Sequence, residues 1–83
     1  SIGWIEGRLV FSGYPLKDVA NKLSRYYQVK INIHDEIANL QYTGVVDRET
    51  LPEALRMISE TSPVRLSITN IDGEYFLSRA KRK

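Results

Sequence analysis

Apolar residues recur along this chain in two forms, at helical spacing and in alternation with polar residues. Helical spacing, with apolar residues three or four positions apart, occurs over residues 15–27 and again from residue 51 to the proline at position 63. Directly after each of these segments, over residues 29–33 and 64–68, apolar and polar residues alternate as in a strand with one buried face. The chain is therefore predicted to contain a helix followed by a strand, twice.

The two helix-and-strand segments correspond position by position when Leu16 is aligned with Leu51. The matched pairs include Asp18 with Glu53, Val19 with Ala54, Leu23 with Ile58, Ser24 with Ser59, Val29 with Val64, Ile31 with Leu66 and Ile33 with Ile68. An internal repeat of this kind indicates one supersecondary unit used twice. The copies differ in that Tyr26 and Tyr27 of the first stand against Thr61 and Ser62 of the second.

Three further strands are predicted outside these segments. Alternation predicts one strand at residues 4–11, β-prone residues predict another at 42–46, and a short last strand follows at 75–78. Asp72-Gly73 suits a type I′ hairpin turn before that last strand.

Local signals mark where the elements begin and end. Ser12-Gly13 breaks the first strand, and Pro15 is tolerated at the start of a helix because it needs no N–H partner there. Thr50 and Glu53 have the spacing of a capping box at the second helix, and residues 35–40 are expected to form a linker.

These elements predict an α+β fold made of two β-α-β units and a final strand. The order is β-α-β-β-α-β-β, and the expected arrangement is a small open sheet with two helices packed on one face. One domain spans residues 1–83, and a frayed basic tail is expected at 79–83. The beginning of the sequence suggests a piece of a longer protein.

Composition narrows the possible chemistry. None of the 83 residues is cysteine, which excludes disulfides, thiolate metal sites and a cysteine nucleophile. The net charge of +2 comes from the basic tail, and no second basic patch supports nucleic-acid binding. No apolar run approaches the roughly 20 residues of a membrane-spanning helix.

The residues with catalytic side chains do not form a recognisable site. His34-Asp35-Glu36 stands at a strand end, where consecutive side chains point to alternating sides, and is better explained as a turn. Ser24 and Ser59 match across the repeat, but neither has a matching histidine to activate it. We therefore expect no enzymatic activity, no catalytic residues, no metal and no cofactor.

Aromatic residues are the candidates for partner contact. The aromatic-rich first copy and the unrepeated final hairpin point to Tyr26, Tyr27, Tyr75 and Phe76. An open sheet also leaves edges, so strand 8–11 or strand 75–78 could accept a strand from a partner.

An ordered set of residues also resembles a known family. The set consists of W-x-x-G-x-L-x-F from Trp4 to Phe11, Pro15-Leu16, Leu23-x-x-Tyr-Tyr27, Val29-x-Ile-x-Ile33, Thr43-Gly44 and the helix start at residues 51–55. In this order and spacing it resembles the C-terminal domain of FecR-type anti-sigma regulators, in the form common in Bacteroidetes.

The resemblance implies a fold similar to the secretin and TonB N-terminal domain. It also implies the periplasmic end of a single-pass inner-membrane protein, with the membrane reached only through a segment absent from this chain. Its implied partner is the N-terminal signalling domain of a TonB-dependent outer-membrane transporter. Another part of the full-length protein would hold an extracytoplasmic-function sigma factor, so that the domain takes part in signal transduction and transcription regulation.

Two alternatives remain open at this point. The same fold could serve as a structural module of a secretin or transporter. A ferredoxin-like domain that binds nucleic acid or a small ligand is the other alternative, although strands 30–34 and 42–46 lack the interleaved aromatic and basic residues of an RNA-binding sheet.

Overall fold

The computed structural model describes residues 8–81. The start of the strand expected at 4–11 and the last two residues of the basic tail lie outside this range. The elements, in chain order, are β1 (Leu9–Pro15), α1 (Leu16–Tyr27), β2 (Ile31–Ile33), α2 (Asp35–Ala38), β3 (Gln41–Val46), α3 (Leu51–Thr61), β4 (Leu66–Ile71) and β5 (Glu74–Arg79).

The α+β class is confirmed, and the strands divide between two open sheets. β1 and β3 form an antiparallel pair, while the second sheet has the order β2-β5-β4. Each copy of the repeat therefore contributes its first strand to one sheet and its second strand to the other. Alternation identifies a strand and its buried face but not its neighbour, so the division was not visible in the sequence.

Corresponding strands of the two copies run in opposite directions, as they would if a two-fold rotation related the copies. β1 is antiparallel to β3. β2 is parallel to β5 and β4 is antiparallel to it, so β2 and β4 also run in opposite directions. β5, which has no counterpart in the repeat, lies between β2 and β4 and pairs with both.

The core is formed by the apolar faces that the periodicity predicted. The buried apolar residues are Phe11, Leu16, Val19, Ala20, Leu23, Ile37, Tyr42, Val46, Leu51, Ala54, Leu55, Ile58, Leu66 and Leu77, of which Ile37 alone lies in the segment predicted to be a linker. They come from both sheets and all three helices, so the two sheets share one hydrophobic core.

Helix α3 begins as the sequence indicated. The Glu53 N–H donates to Thr50 Oγ1 over 3.3 Å, and the Thr50 N–H donates to Glu53 Oε1 over 3.0 Å. The predicted capping box is confirmed, and it satisfies two backbone donors that a helix start would otherwise leave without partners.

Helix α1 begins and ends with caps of a different kind from the capping box of α3. Pro15 is its N-cap and the last residue of β1, rather than the first helical residue. At the other end Gln28 adopts φ 61°, and the N–H groups of Gln28 and Val29 both donate to Ser24 O. Helix α1 therefore ends at a residue in the left-handed conformation that is glutamine rather than the usual glycine.

Strand β1 continues past its predicted end at residue 11 to Pro15, because it passes through Ser12-Gly13 as a bulge. Phe11 pairs with Gly44 and Tyr14 with Tyr42, so two residues of β1 face Thr43 alone. Gly13 has φ +66° and its N–H donates to Thr43 Oγ1 over 2.9 Å. A glycine in the left-handed region thus bends the strand instead of ending it.

The segment expected to be a linker contains the short helix α2. His34 caps it, with Nδ1 accepting from the Glu36 N–H over 3.0 Å, and Ile37 is fully buried. His34-Asp35-Glu36, which the sequence predicted to be a turn, forms the start of α2, and the three side chains lie at the surface.

The final hairpin follows the prediction closely. Asp72 and Gly73 have φ values of 52° and 86°, the two positive angles that a type I′ turn requires. β5 extends to Arg79, and the Ala80 N–H donates to Arg65 O, so the sheet continues into the segment expected to fray. Within residues 8–81, no helix has the length and apolar character needed to cross a membrane.

Candidate functional site

Tyr26 and Tyr27 lie at the carboxyl end of α1, and their rings meet edge to face at 4.9 Å between centroids. The Tyr27 hydroxyl donates to Glu49 O over 2.7 Å, which ties α1 to the loop before α3. Tyr27 is half-buried and packs against the core, so its contacts are with the domain itself.

Tyr26 borders a shallow surface groove. The groove has a volume of about 280 Å³ and is lined by Leu9, Lys22, Arg25 and Tyr26. No carboxylate within residues 8–81 forms an ion pair with Lys22 or Arg25. The groove combines an aromatic edge with two positive charges.

Tyr75 and Phe76 are neighbours on β5 and therefore face opposite sides of the sheet. Tyr75 packs against the core, and its N–H donates to Lys30 O over 2.9 Å. Phe76 points away from the helices and is 39% exposed. Of these two residues, Phe76 alone is placed to meet a partner.

The four aromatic residues predicted from the sequence are not brought together. Tyr26 lies on α1, which packs on the inner face of the three-stranded sheet against Ile31 and Ile33. Phe76 lies on the outer face of that sheet, opposite the helices. The structure therefore presents two separate aromatic surfaces, one on each side.

Phe76 is the centre of the outer face of this sheet. Asn32 of β2 and Thr69 of β4 are its cross-strand neighbours. Asn32 Nδ2 donates to Glu74 Oε2 over 2.8 Å and to Tyr75 O over 3.1 Å, and Lys30 Nζ lies 4.0 Å from the same carboxylate oxygen. The result is an apolar ring held between small polar neighbours, with one charged pair at its margin.

Three other exposed apolar residues were not identified from the sequence. Val10 and Val45 are cross-strand neighbours on the outer face of the β1–β3 pair and are 57% and 45% exposed. Ile71, at the end of β4, is 55% exposed. Strand alternation could have placed Val10 and Val45 on outward faces, since Val10 precedes buried Phe11 and Val45 precedes buried Val46.

The serines considered as nucleophiles have structural roles. The Ser24 hydroxyl donates to Val29 O, joining α1 to the segment before β2. Ser59 is buried; its Oγ accepts from the Leu66 N–H over 3.0 Å and donates to Leu66 O over 3.3 Å. Among the described residues, no group of three His, Cys, Asp or Glu side chains is placed to hold a metal ion.

Comparison with known proteins identifies the family. The family model described as FecR, C-terminal matches residues 8–74, which is most of the chain. This chain belongs to the FecR C-terminal domain family.

Solved structures share the fold of this FecR C-terminal domain. Two crystal structures of a candidate anti-sigma factor from Parabacteroides distasonis, at 1.65 and 2.50 Å, each match with a TM-score of 0.80 and 20% sequence identity. The match covers 94% of this chain but 36% of the other, so this chain spans about a third of that protein. No curated protein matches in sequence.

The sheet edges of this FecR C-terminal domain differ from those expected. β5 is the central strand of its sheet, so the prediction that strand 75–78 could accept a partner strand is wrong. β4 pairs with one side of β5 and β2 with the other, so neither side of β5 is free. The edges of this sheet are β2 and β4, and β1 and β3 each keep one edge in the two-stranded sheet.

The stability of this FecR C-terminal domain is expected to fall at alkaline pH through Tyr27. Burial raises the pKa of the Tyr27 hydroxyl above its ordinary value of 10.0, and the charges of Tyr26, Glu49 and Glu53 raise it further. The folded state favours the neutral form of Tyr27. The stability that Tyr27 contributes is therefore fully present below pH 10 and is lost as the pH rises through the folded-state pKa. Ionised Tyr27 also cannot donate to Glu49 O.

Urea unfolding of the wild type and of Tyr27→Phe between pH 7 and pH 11 tests this expectation. At neutral pH the variant should lose about 1 kcal/mol with the hydrogen bond. Above pH 10 it should lose less stability than the wild type. Tyr14→Phe is the matched control, since no hydrogen bond from its hydroxyl is seen within residues 8–81. Equal alkaline losses in the wild type and Tyr27→Phe would contradict the assignment.

Proposed function

We propose that this FecR C-terminal domain is the signal-receiving domain of an anti-sigma factor. It acts by binding rather than by catalysis, and its partner is the N-terminal signalling domain of a TonB-dependent outer-membrane transporter. Another part of the full-length protein binds the extracytoplasmic-function sigma factor. The observation that carries the proposal is the family match over residues 8–74.

The proposal places the domain in the periplasm, as part of a single-pass inner-membrane protein. A transporter in the outer membrane and a sigma factor in the cytoplasm cannot meet directly, so the regulator must present one binding surface on each side of the inner membrane. The secretin or transporter module considered above is the alternative, and the FecR family match favours the regulator.

The accessible aromatic side chains support a binding role. Phe76 is exposed on the outer face of the three-stranded sheet, and Tyr26 borders the basic groove at α1. Both are proposed contact residues, whereas Tyr27 and Tyr75 support these surfaces from within. Aromatic side chains are enriched where proteins bind one another, because they bury a large area at low conformational cost.

A direct binding measurement tests the proposed function. The purified chain is titrated by isothermal calorimetry with the signalling domain of the transporter encoded beside its gene. We expect a dissociation constant in the micromolar range or below, as for transient signalling contacts. The signalling domain of an unrelated transporter from the same genome is the control. Absence of binding at several hundred micromolar would contradict the proposal.

A further inference from the structure

Among the described residues, 8–81, the free edge of β4 carries backbone groups without partners. Asn70 is opposite Tyr75, whose N–H donates to Lys30 O of the β2 side. Ile68 is opposite Leu77, whose carbonyl accepts from the His34 N–H. Both are therefore non-hydrogen-bonded pairs of the antiparallel ladder, so the N–H and C=O groups of Ile68 and Asn70 point away from β5.

Leu66 is the third residue of β4 whose backbone groups point away from β5, and these groups already have hydrogen-bond partners. The N–H and C=O groups of Leu66 bond to the hydroxyl of Ser59 on α3. No partner is seen within residues 8–81 for the outward groups of Ile68 and Asn70. Helix α3 thus covers the start of the edge and leaves two residues of extended backbone open.

β4 also lacks the charged residues and prolines that commonly prevent a sheet edge from pairing with another strand. Its six residues, Leu66–Ile71, include no charged residue and no proline. The opposite edge, β2, has three residues, and the helix α2 follows it. β1 carries the bulge at Gly13 and ends in Pro15. Of the edges formed by β1, β2 and β4, that of β4 is the most open to another strand.

An apolar surface adjoins this open edge. Ile71 is 55% exposed and Phe76 is 39% exposed, and both lie on the outer face of the sheet. Between Phe76 and the edge stands Thr69, a small residue paired with Phe76 across the strands. A large side chain on a strand added beside β4 would lie over Thr69 and reach Phe76, since neighbouring strands are about 4.8 Å apart.

We propose that the edge of β4 is where the transporter's signalling domain binds, by adding an extended segment to the three-stranded sheet. This inference rests on the proposed function and names the surface that performs it. Ile68 and Asn70 supply the main-chain hydrogen bonds, while Ile71 and Phe76 receive an apolar side chain of the added strand. Main-chain pairing supplies affinity and alternate side chains supply selectivity.

A second copy of this chain fits the edge less well. If two β4 strands paired so that Ile68 of one copy met Asn70 of the other, Thr69 of one copy would stand opposite Thr69 of the other. Phe76 of each copy would lie one strand further away, on β5. That contact buries small polar side chains at its centre, whereas specific protein interfaces have a hydrophobic centre. A partner strand with a large apolar residue opposite Thr69 covers the exposed surface instead.

The substitution Asn70→Pro tests the backbone contact. Proline removes the outward N–H of residue 70 and leaves the pairing of β4 with β5, because that N–H does not bond to β5. The change also removes the hydrogen bond from the Gly73 N–H to Asn70 Oδ1, which spans 2.9 Å. Asn70→Ala removes that same bond and keeps the N–H, so it is the matched control.

We expect Asn70→Pro to raise the dissociation constant for the signalling domain at least tenfold relative to Asn70→Ala, or about 1.4 kcal/mol. Ile71→Thr and Phe76→Thr should each weaken binding severalfold. Val45→Thr, on the exposed face of the other sheet, should leave it unchanged. In the unaltered complex, amide exchange at Ile68 and Asn70 should slow, a readout that does not depend on the variants folding.

The outcomes separate this inference from the proposed function. If the unaltered chain binds but Asn70→Pro binds as Asn70→Ala does and the Ile68 and Asn70 amides stay unprotected, edge pairing is wrong and the proposed function stands. If the unaltered chain does not bind, both are wrong. If Ile68 and Asn70 become protected in the free chain as its concentration rises, a second copy occupies the edge and the inference is overturned.

Discussion

Replacing Ile37 with alanine is expected to destabilise the domain by about 3 kcal/mol. Ile37 is fully buried although it lies in a helix of four residues. So short a helix is not stable by itself, and tertiary packing must hold it. The Ile37 side chain supplies that packing, so its truncation both leaves a cavity and releases α2. Urea unfolding followed by circular dichroism measures the loss.

Two variants control for this effect. Ile37→Val keeps most of the side chain and should cost about 1 kcal/mol. Asn39→Ala changes an exposed residue next to α2 and should stay within about 0.5 kcal/mol of the wild type. A loss below 1 kcal/mol for Ile37→Ala would mean that α2 is not anchored through this residue.

Gly44→Ala is expected to cost about 2 kcal/mol, through overpacking. Gly44 lies two residues after Tyr42 on β3, and the Tyr42 ring covers it. A Cβ at position 44 would stand 2.5 Å from the Tyr42 hydroxyl oxygen and 2.9 Å from Cζ. The ring is held in place because Tyr42 is buried and its hydroxyl bonds to Thr61 Oγ1 over 3.1 Å. Thermal unfolding or urea unfolding detects the change.

A double-mutant cycle isolates the clash. Tyr42→Phe removes the oxygen nearest to the added methyl group, at the cost of the bond to Thr61. Gly44→Ala should therefore be less damaging in the Tyr42→Phe background than in the wild type, by about 1 kcal/mol. Strictly additive losses would show that the methyl group disturbs something other than Tyr42.

The helices and core faces were predictable because each has its own periodicity. Leu16, Val19 and Leu23 define one face of α1, and their matched residues Leu51, Ala54 and Ile58 define that of α3. Helix α2 was not predictable, since four residues with one large apolar side chain carry no helical period. The bulge in β1 was hidden because Gly13 also fits the end of a strand.

The accessibility of the aromatic side chains could not be predicted from residue type alone, because residue type does not report the direction in which a side chain points. Tyr75 and Phe76 are both aromatic, but strand alternation sends Tyr75 to the core and Phe76 outward. Tyr27 is also aromatic, but its hydroxyl donates a hydrogen bond inside the domain, to Glu49 O. The open edge at Ile68 and Asn70 follows from strand order, which depends on contacts between distant parts of the chain.

The central position of β5 also has a consequence for the order of folding. β2 pairs with β5 across more than 40 positions of sequence, Ile31 with Tyr75. During synthesis, β1 can pair as soon as β3 has emerged, whereas β2 and β4 must wait for the last strand. The three-stranded sheet can therefore close only after residue 79 has left the ribosome, and until then both of its outer strands lack a neighbour.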